Sequence, residues 1–467
     1  MGVPKSKRFR GLHIKPGGKT MNEIDILKLI EEKKYAKLKQ ELSTMKPVDI
    51  AETLEEIDAQ TTLLVFRMLA KDMAVEVFAD FTRDQQSEII NTISDNELNY
   101  ILDELFFDDM IDIVEEMPAN IVNKILQNST IDERKLINQF LKYPQDSAGT
   151  IMTIEYVELN QYMTVKEAMQ HIKDVGLNKE TIYTCYVINK NRILEGIVSL
   201  RNLVTSEEDM VVKDLMIGVE DIVYVNTHDD QEVVANLFLK YGYLAIPVAD
   251  NERRLTGIIT VDDIMDVMEQ EATEDFQKMA AMAPTEDSYL DTGVFELSRH
   301  RITWLLILMV GATLTGGIIS RYENILSSTV ILMAFVPMLM DTGGNSGNQS
   351  STLIIRGLAT GNVTLKDKWK VLWKEFRVSI VVGFGLGVVN FFKNIFLDKV
   401  GINVAITVSI TLMATVVMAK MAGGILPLIA EKLKLDPAIM AGPLITTLVD
   451  SLALILYFTI ATVMLGI

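Results

Sequence analysis

The last third of the chain carries five long apolar segments in close succession, and few soluble folds accommodate that. They run Ile302–Ser320, Ile325–Met340, Phe376–Phe396, Val400 to about Ala430, and Met440–Ile467. At about 1.5 Å per helical residue most of them can cross about 30 Å of hydrocarbon, while Ile325–Met340 needs its flanks to do so. Buried helices of soluble proteins rarely run so long, so a five-helix membrane domain is expected over 298–467.

The rest of the chain has the opposite character. From Arg299 to the end there are 14 Lys+Arg and 8 Asp+Glu, a net of +6, so the total of −19 leaves −25 for what precedes. A soluble body this negative repels nucleic acid and anionic lipid and attracts cations, which excludes nucleic acid as a partner and favours metal ions. Plain solubility is the competing explanation. The single cysteine, Cys185, precludes an intrachain disulfide, and the four histidines lack zinc-site spacing. The opening MGVPKSKRFRGLHIKPGGKT is basic without the apolar stretch of an export signal. It reads as a disordered tail over 1–21, with the soluble body retained in a reducing cytoplasm.

Three kinds of unit precede the membrane segments. Over 22–143 apolar residues recur at three and four, and KPVDIAETLEEID, DDMIDIVEEMP and PANIVNKIL repeat loosely, which predicts an all-α superhelix of short helices. Over 144–208 and 209–265 one pattern occurs twice: strand, helix, β-hairpin, helix. The hairpin turns are Asn189–Asn191 and Asp250–Glu252, turn-forming residues between β-branched runs. The endings GIVSLRNL and GIITVDDI resemble the strand-to-helix step of cystathionine β-synthase (CBS) modules, so an α+β tandem CBS pair is expected. In such modules the Asn or Asp three residues after the Ser/Thr often meets ribose; here those are Asn202 and Asp263, which makes an adenosine nucleotide such as ATP a candidate ligand. A connecting helix follows over 266–284, with a stripe of Ile264, Met268, Ala272, Phe276 and Met279, Thr260 and Asp263 as its capping box, and Pro284 as its stop. Its other face is acidic, and like charges at this spacing cost about 0.2–0.5 kcal/mol per pair, so bound cations stabilise it.

Basic residues before the first span (Arg299, Arg301) and between the second and third (Arg356, Lys366, Lys368, Lys370, Lys374, Arg377) orient both ends toward the cytoplasm. Five spans then leave the C-terminus outside. Within the last span Asp450 is flanked by apolar or small residues; a carboxylate there costs about 2.5–3.5 kcal/mol or more and calls for a watery cavity or a partner, with Lys420 the available basic residue. Asp341–Ser351, DTGGNSGNQSS, has three glycines that allow the backbone to leave the helix and Asn345, Asn348 and Gln349 as neutral oxygens. A carboxylate beside neutral oxygens suits a hard, hydrated cation such as Mg2+, and discriminates soft metals better than Mn2+ or Ca2+.

YPQDSAGTIMT, THDDQEVVANLF, ITVDDIMDVMEQEATED, DTGGNSGNQSSTLIIR and PLITTLVDSLALILYF, in that order, resemble the bacterial MgtE family of magnesium channels over nearly the whole chain. The resemblance implies a homodimer in the inner membrane, with a pore between subunits lined by the second and fifth spans. It further implies that Asp450 is the pore carboxylate, with Asn345 and Asp341 beside it. Regulatory magnesium sites are implied at Asp230, Glu232, Asp263, Asp266, Glu274 and Asp275, with Asp108 and Asp109 as N-domain partners, so that high cytosolic Mg2+ closes the pore. YGY at Tyr241–Tyr243 departs from the family where an acidic residue can stand. The alternatives are a transporter of another divalent cation and a CBS nucleotide-sensing membrane receptor; an enzyme is disfavoured because no catalytic pair or phosphate loop is present.

Overall fold

The computed structural model describes residues 21–285, 289, 292–322 and 330–466. The basic tail expected at 1–21 lies outside the described residues except for Met21, and so does the start of the expected second span. The chain forms two compact units, Met1–Glu271 and Ala272–Ile467.

The first unit begins with short helices from α1 (Glu23–Glu31) to α10 (Ile131–Phe140). Capping boxes at Thr82/Gln85, Ser94/Glu97 and Thr130/Glu133 start three of them and satisfy amides that a helix start leaves open. Helices pack on the helix two places along: α3 (Pro47–Glu55) on α5 (Lys71–Ala79), α5 on α7 (Asp95–Glu104), and α7 on α9 (Ala119–Asn128). That is the superhelix the periodicity predicts. Its apolar core, including Leu54, Phe78, Ile90, Ile111 and Ile125, runs on into the second CBS module through Met152, Val234, Ile246 and Ile264.

The tandem pair consists of two sheets. The first is β1 (Tyr156–Leu159), β2 (Thr181–Ile188), β3 (Leu194–Ser199) and β4 (Ile217–Gly218); the second is β5 (Val225–Asn226), β6 (Ala245–Ala249) and β7 (Leu255–Thr260). Each hairpin turn is fastened identically. Asn189 Oδ1 accepts from the Asn191 and Ile193 amides, and Asp250 Oδ1 from those of Glu252 and Arg254. Arg192 and Arg253 take the left-handed conformation at φ 63° and 62°. The modules also exchange edges: Thr153 pairs with Ile258 of the second sheet, and β4 pairs with β3 of the first. Helices α11 (Val165–Val175) and α12 (Leu200–Thr205) serve the first module; α13 (Val212–Leu215) and α14 (Gln231–Tyr241) follow, and α15 (Val261–Met279) leaves the last strand.

Helix α15 differs from its sequence reading. It ends at Met279, and Ala281 at φ 53° turns the chain before Pro284 is reached. Ile264 and Val267 are buried, but Phe276, assigned to the apolar stripe, is 75% exposed. Two positions on, Lys278 is instead bound to Glu274 and Asp436, and Asp275, one position before, is half-buried.

The second unit contains α16 (Val294–Arg321), α17 (Val336–Ala359), α18 (Lys368–Phe396), α19 (Ile402–Lys432) and α20 (Gly442–Leu465). Among the described residues four segments are long and apolar enough to cross a membrane, those of α16, α18, α19 and α20. The second expected span needs correction. A 3-10 turn over Val330–Phe335 leads into α17, and the helix begins at Val336 and runs to Ala359, well beyond Met340.

The DTGGNSGNQSS motif does not leave the helix either; it forms the middle of α17. Its glycines instead permit close helix approach. A Cβ on Gly343 would meet Thr415 and Val449, one on Gly344 would meet Thr446, and one on Gly423 of α19 would run into the Gly347 carbonyl. With α19 and α20 on both sides, α17 is held tightly although its own sequence is polar. Tyr457 of α20, fully buried, donates to the Leu332 carbonyl at 2.9 Å and closes the apolar end of the bundle with Phe335, Leu412 and Phe458.

Gly423→Val therefore destabilises the second unit, since backbone stands where the side chain must go; overpacking of this kind costs about 1–3 kcal/mol. Gly385→Ala, where nothing lies within 4 Å of the new carbon, is neutral apart from helix propensity. Thermal unfolding in detergent checks both, and equal melting temperatures for the two variants contradict the packing role.

Candidate metal sites

Helix α8 (Phe107–Glu116) carries Asp108 and Asp109 in its first turn, where the helix dipole favours negative charge. Asp108 is half-buried, and its Oδ1 is buried with no hydrogen-bond partner. Burial first, then the negative charges of Asp263, Asp109, Glu180 and Asp112, push its carboxyl well above the usual carboxylate range. Asp263 comes from the first turn of α15, where its Oδ2 accepts from Thr260 Oγ1 at 2.6 Å; the same hydroxyl serves Asp262 at 2.5 Å. The N-terminal turns of two helices thus bring acidic groups into mutual range, and the loop before β2 adds Glu180.

The other expected positions in this unit lie on α12, α14 and α15. Asp230 is the N-cap of α14, its Oδ1 accepting from the Glu232 amide at 2.9 Å, so a local structural role accounts for that contact. Glu232 is in the first turn of the same helix, and Asp266 is half-buried on α15. Gln231, buried beside Asp230, donates to Glu271 of α15 at 2.8 Å. Asn202 occupies the equivalent place in the first module to Asp263 in the second, with its amide held by Ser199 Oγ at 3.1 Å.

In the second unit the end of α15 forms a charged knot. Lys278 Nζ reaches Asp436 Oδ2 at 2.6 Å and is paired with Glu274. Burial alone would lower its pKa, but these two bonds outweigh it and hold the ammonium at about 12. Asp275, half-buried, is pushed up by burial and then by Asp436, against the opposing charges of Lys278 and Arg356.

Asp450 sits mid-helix on α20 with its Oδ1 buried and unpartnered, and Asp341 of α17 acts on it electrostatically. Asp341, Asn345 and Gln349 are exposed at four-residue spacing, so they form one polar stripe along α17. Three further polar groups of the motif bond within the chain. Asn348 Oδ1 accepts from the Gly442 amide at 2.8 Å, Ser350 donates to Glu375 at 2.6 Å, and Ser351 donates to the Met440 carbonyl at 2.7 Å. Lys420, the basic residue available to pair with Asp450, donates to Gln349 Oε1 at 3.4 Å.

The sequence reading missed Asp112, Glu180, Asp436, Lys278, Glu375 and the Lys420–Gln349 contact. Asp112 was readable, one turn after Asp108 on the same helix; Glu180 and Asp436 come from loops whose neighbours no periodicity reveals. Among the described residues no three His, Cys, Asp or Glu side chains are gathered into a ligand cage. Pairs of carboxylates at longer range suit a cation that keeps part of its water shell, as Mg2+ does.

Three family descriptions match the chain: a divalent cation transporter domain over 336–460, an MgtE intracellular N domain over 45–146, and CBS domains over 148–208 and 212–270. Magnesium transporter MgtE of Bacillus subtilis is 33% identical, covering 94% of this chain and 96% of its own. That of Thermus thermophilus is 34% identical, covering 95% and 98%. A crystal structure of the cytosolic domain of the Mg2+ channel MgtE in complex with ATP is similar at 31% identity with a TM-score of 0.49, covering 52% of this chain and 99% of that one.

Because the folded pKa of Asp108 is raised, the stability it contributes is present below the ordinary carboxylate range and is lost as pH rises through the folded value. Asp108→Asn in the full-length protein in detergent with EDTA therefore raises stability at neutral pH, on the order of 1 kcal/mol, and flattens the pH dependence. Melting curves from acidic to neutral pH check this; a lower melting temperature at neutral pH for the variant contradicts it.

Proposed function

The chain belongs to the MgtE family of magnesium transporters, and on that premise we propose that it conducts Mg2+ through a pathway lined by the Asp341–Asn345–Gln349 stripe and Asp450. The observation that carries this reading is the pairing of Asp450 with Asp341 beside an exposed row of amide oxygens. A hydrated divalent cation meets carboxylates through its water shell and amide oxygens as it passes, so strong charge and weak contact combine. The stripe faces outward from the single chain, which supports a homodimer with the path between two copies and four carboxylates around it. We read the membrane as the bacterial inner membrane, with the N-terminus in the cytoplasm and the C-terminus outside.

The regulatory reading concerns the acidic groups of the soluble body. Asp108, Asp109 and Asp263, with Asp112 and Glu180, would hold Mg2+, supported by the buried, unpartnered Oδ1 of Asp108. Bound Mg2+ would relieve the repulsion that raises the Asp108 carboxyl. Asp230, Glu232, Asp266, Glu274 and Asp275 extend the set along α14 and α15. When the cytosolic ion is scarce, repulsion among these groups favours the open form, and the helix α15 carries the change toward the membrane helices. A ligand shifts such a balance only through different affinities for the two forms, and several cooperating sites provide that difference. An adenosine nucleotide at Asn202 is a subordinate proposal.

In liposomes loaded with a magnesium dye, the wild-type protein passes Mg2+, and Asp450→Asn lowers the flux or its preference for divalent over monovalent ions by about tenfold or more, the equivalent of about 1.4 kcal/mol. Unchanged flux and ion preference in a folded variant rule out Asp450 as the selecting carboxylate.

A further inference from the structure

Two charged side chains buried among the membrane helices have no part in the pathway described above. Lys420 of α19 is 4% exposed and Glu375 of α18 is 8% exposed. Ionisable groups at such positions are costly and are retained where they meet a partner or serve the transported ion. Both reach α17, and at adjacent residues: Lys420 Nζ donates to Gln349 Oε1 at 3.4 Å, and Ser350 Oγ donates to Glu375 Oε2 at 2.6 Å. Gly424, one turn beyond Lys420, lies against Glu375, since a Cβ there would stand 3.2 Å from its Cγ. The two side chains thus come from neighbouring turns of the α18–α19 contact, and each is attached to α17.

Gln349 is the last polar residue of the exposed stripe, two turns or about 12 Å from Asp341. Its Oε1 is a neutral acceptor of the kind a cation meets when it sheds or reorients water. An ammonium has three donors and no acceptor, and the buried stem of Lys420 places this one beside that oxygen. Glu375, bonded to Ser350, is the buried opposite charge on the facing helix.

We propose that Lys420 is a resident cation of the conduction path, competing with the passing ion for Gln349 Oε1 and so preventing a divalent cation from settling at this level. The inference rests on the stripe being the ion path. It makes Lys420 a specificity-determining residue: repulsion grows with the charge of the ion, so a divalent cation gains most when the ammonium is removed.

The test is Mg2+ flux into dye-loaded liposomes by the full-length protein, measured against Mg2+ concentration. Lys420→Met lowers the apparent KM for Mg2+ at least roughly fivefold and lowers the maximal rate, because an ion that binds more tightly leaves more slowly. Lys420→Arg keeps the charge and the wild-type KM. Gln349→Met removes the contested acceptor, so adding Lys420→Met to it lowers KM by less than it does in the wild type, a non-additivity that a purely structural role does not produce. If Lys420→Met fails to fold, Lys420→Gln carries the same comparison. Unchanged KM, or a rate that falls only in step with lost melting temperature, overturns the proposal. Asn345→Ala separates the two readings: if it alters ion preference while Lys420→Met does not alter KM, only the resident-cation inference falls. If Asn345→Ala and Asp341→Asn both leave flux and preference untouched, the stripe is not the path.

Discussion

A carboxylate held partly out of water beside another carboxylate is the constraint on which both units depend. Asp108 faces Asp263 in the first unit and Asp450 faces Asp341 in the second, and in each case one carboxylate oxygen is buried without a hydrogen-bond partner. Burial weakens the screening that makes surface charges cheap, so such pairs are costly unless a proton or an external cation compensates them. The chain does supply cations elsewhere. Lys278 answers Asp436 and Glu274. That contrast separates charges that fasten the structure from charges left for an ion.

What makes the arrangement in the second unit possible is glycine. Gly343, Gly344 and Gly347 bring α17 against α19 and α20, and Gly423 removes the last obstacle on the facing helix. Close approach on one side of α17 consumes Asn348, Ser350 and Ser351 in internal hydrogen bonds and turns Asp341, Asn345 and Gln349 outward. The same motif therefore builds the packing and the polar stripe, on opposite faces of one helix.

Much of this was legible from residues alone. The superhelix, the duplicated module with its Asn189 and Asp250 turns, and the long apolar helices follow from periodicity and turn chemistry, which are local. The errors came where one residue type has two uses. Glycines in DTGGNSGNQSS were read as freedom to leave the helix, whereas here they serve contact, and only the position of α19 decides between them. Phe276 was assigned to a buried stripe because helical spacing does not report that Lys278, two positions on, has a partner in a distant loop at Asp436. Glu180 was invisible for the same reason: its neighbours lie more than 60 residues away on either side.

Magnesium control of the acidic cluster is tested most directly by hydrogen exchange of the full-length protein in detergent, with Mg2+ titrated at constant ionic strength. The amides of α8 and of the first turns of α15 gain protection as Mg2+ rises, and Asp108→Asn with Asp263→Asn lessens the gain. Exchange at α8 and α15 that is indifferent to Mg2+, or that responds only to ATP, contradicts the assignment of these carboxylates as the magnesium sensor.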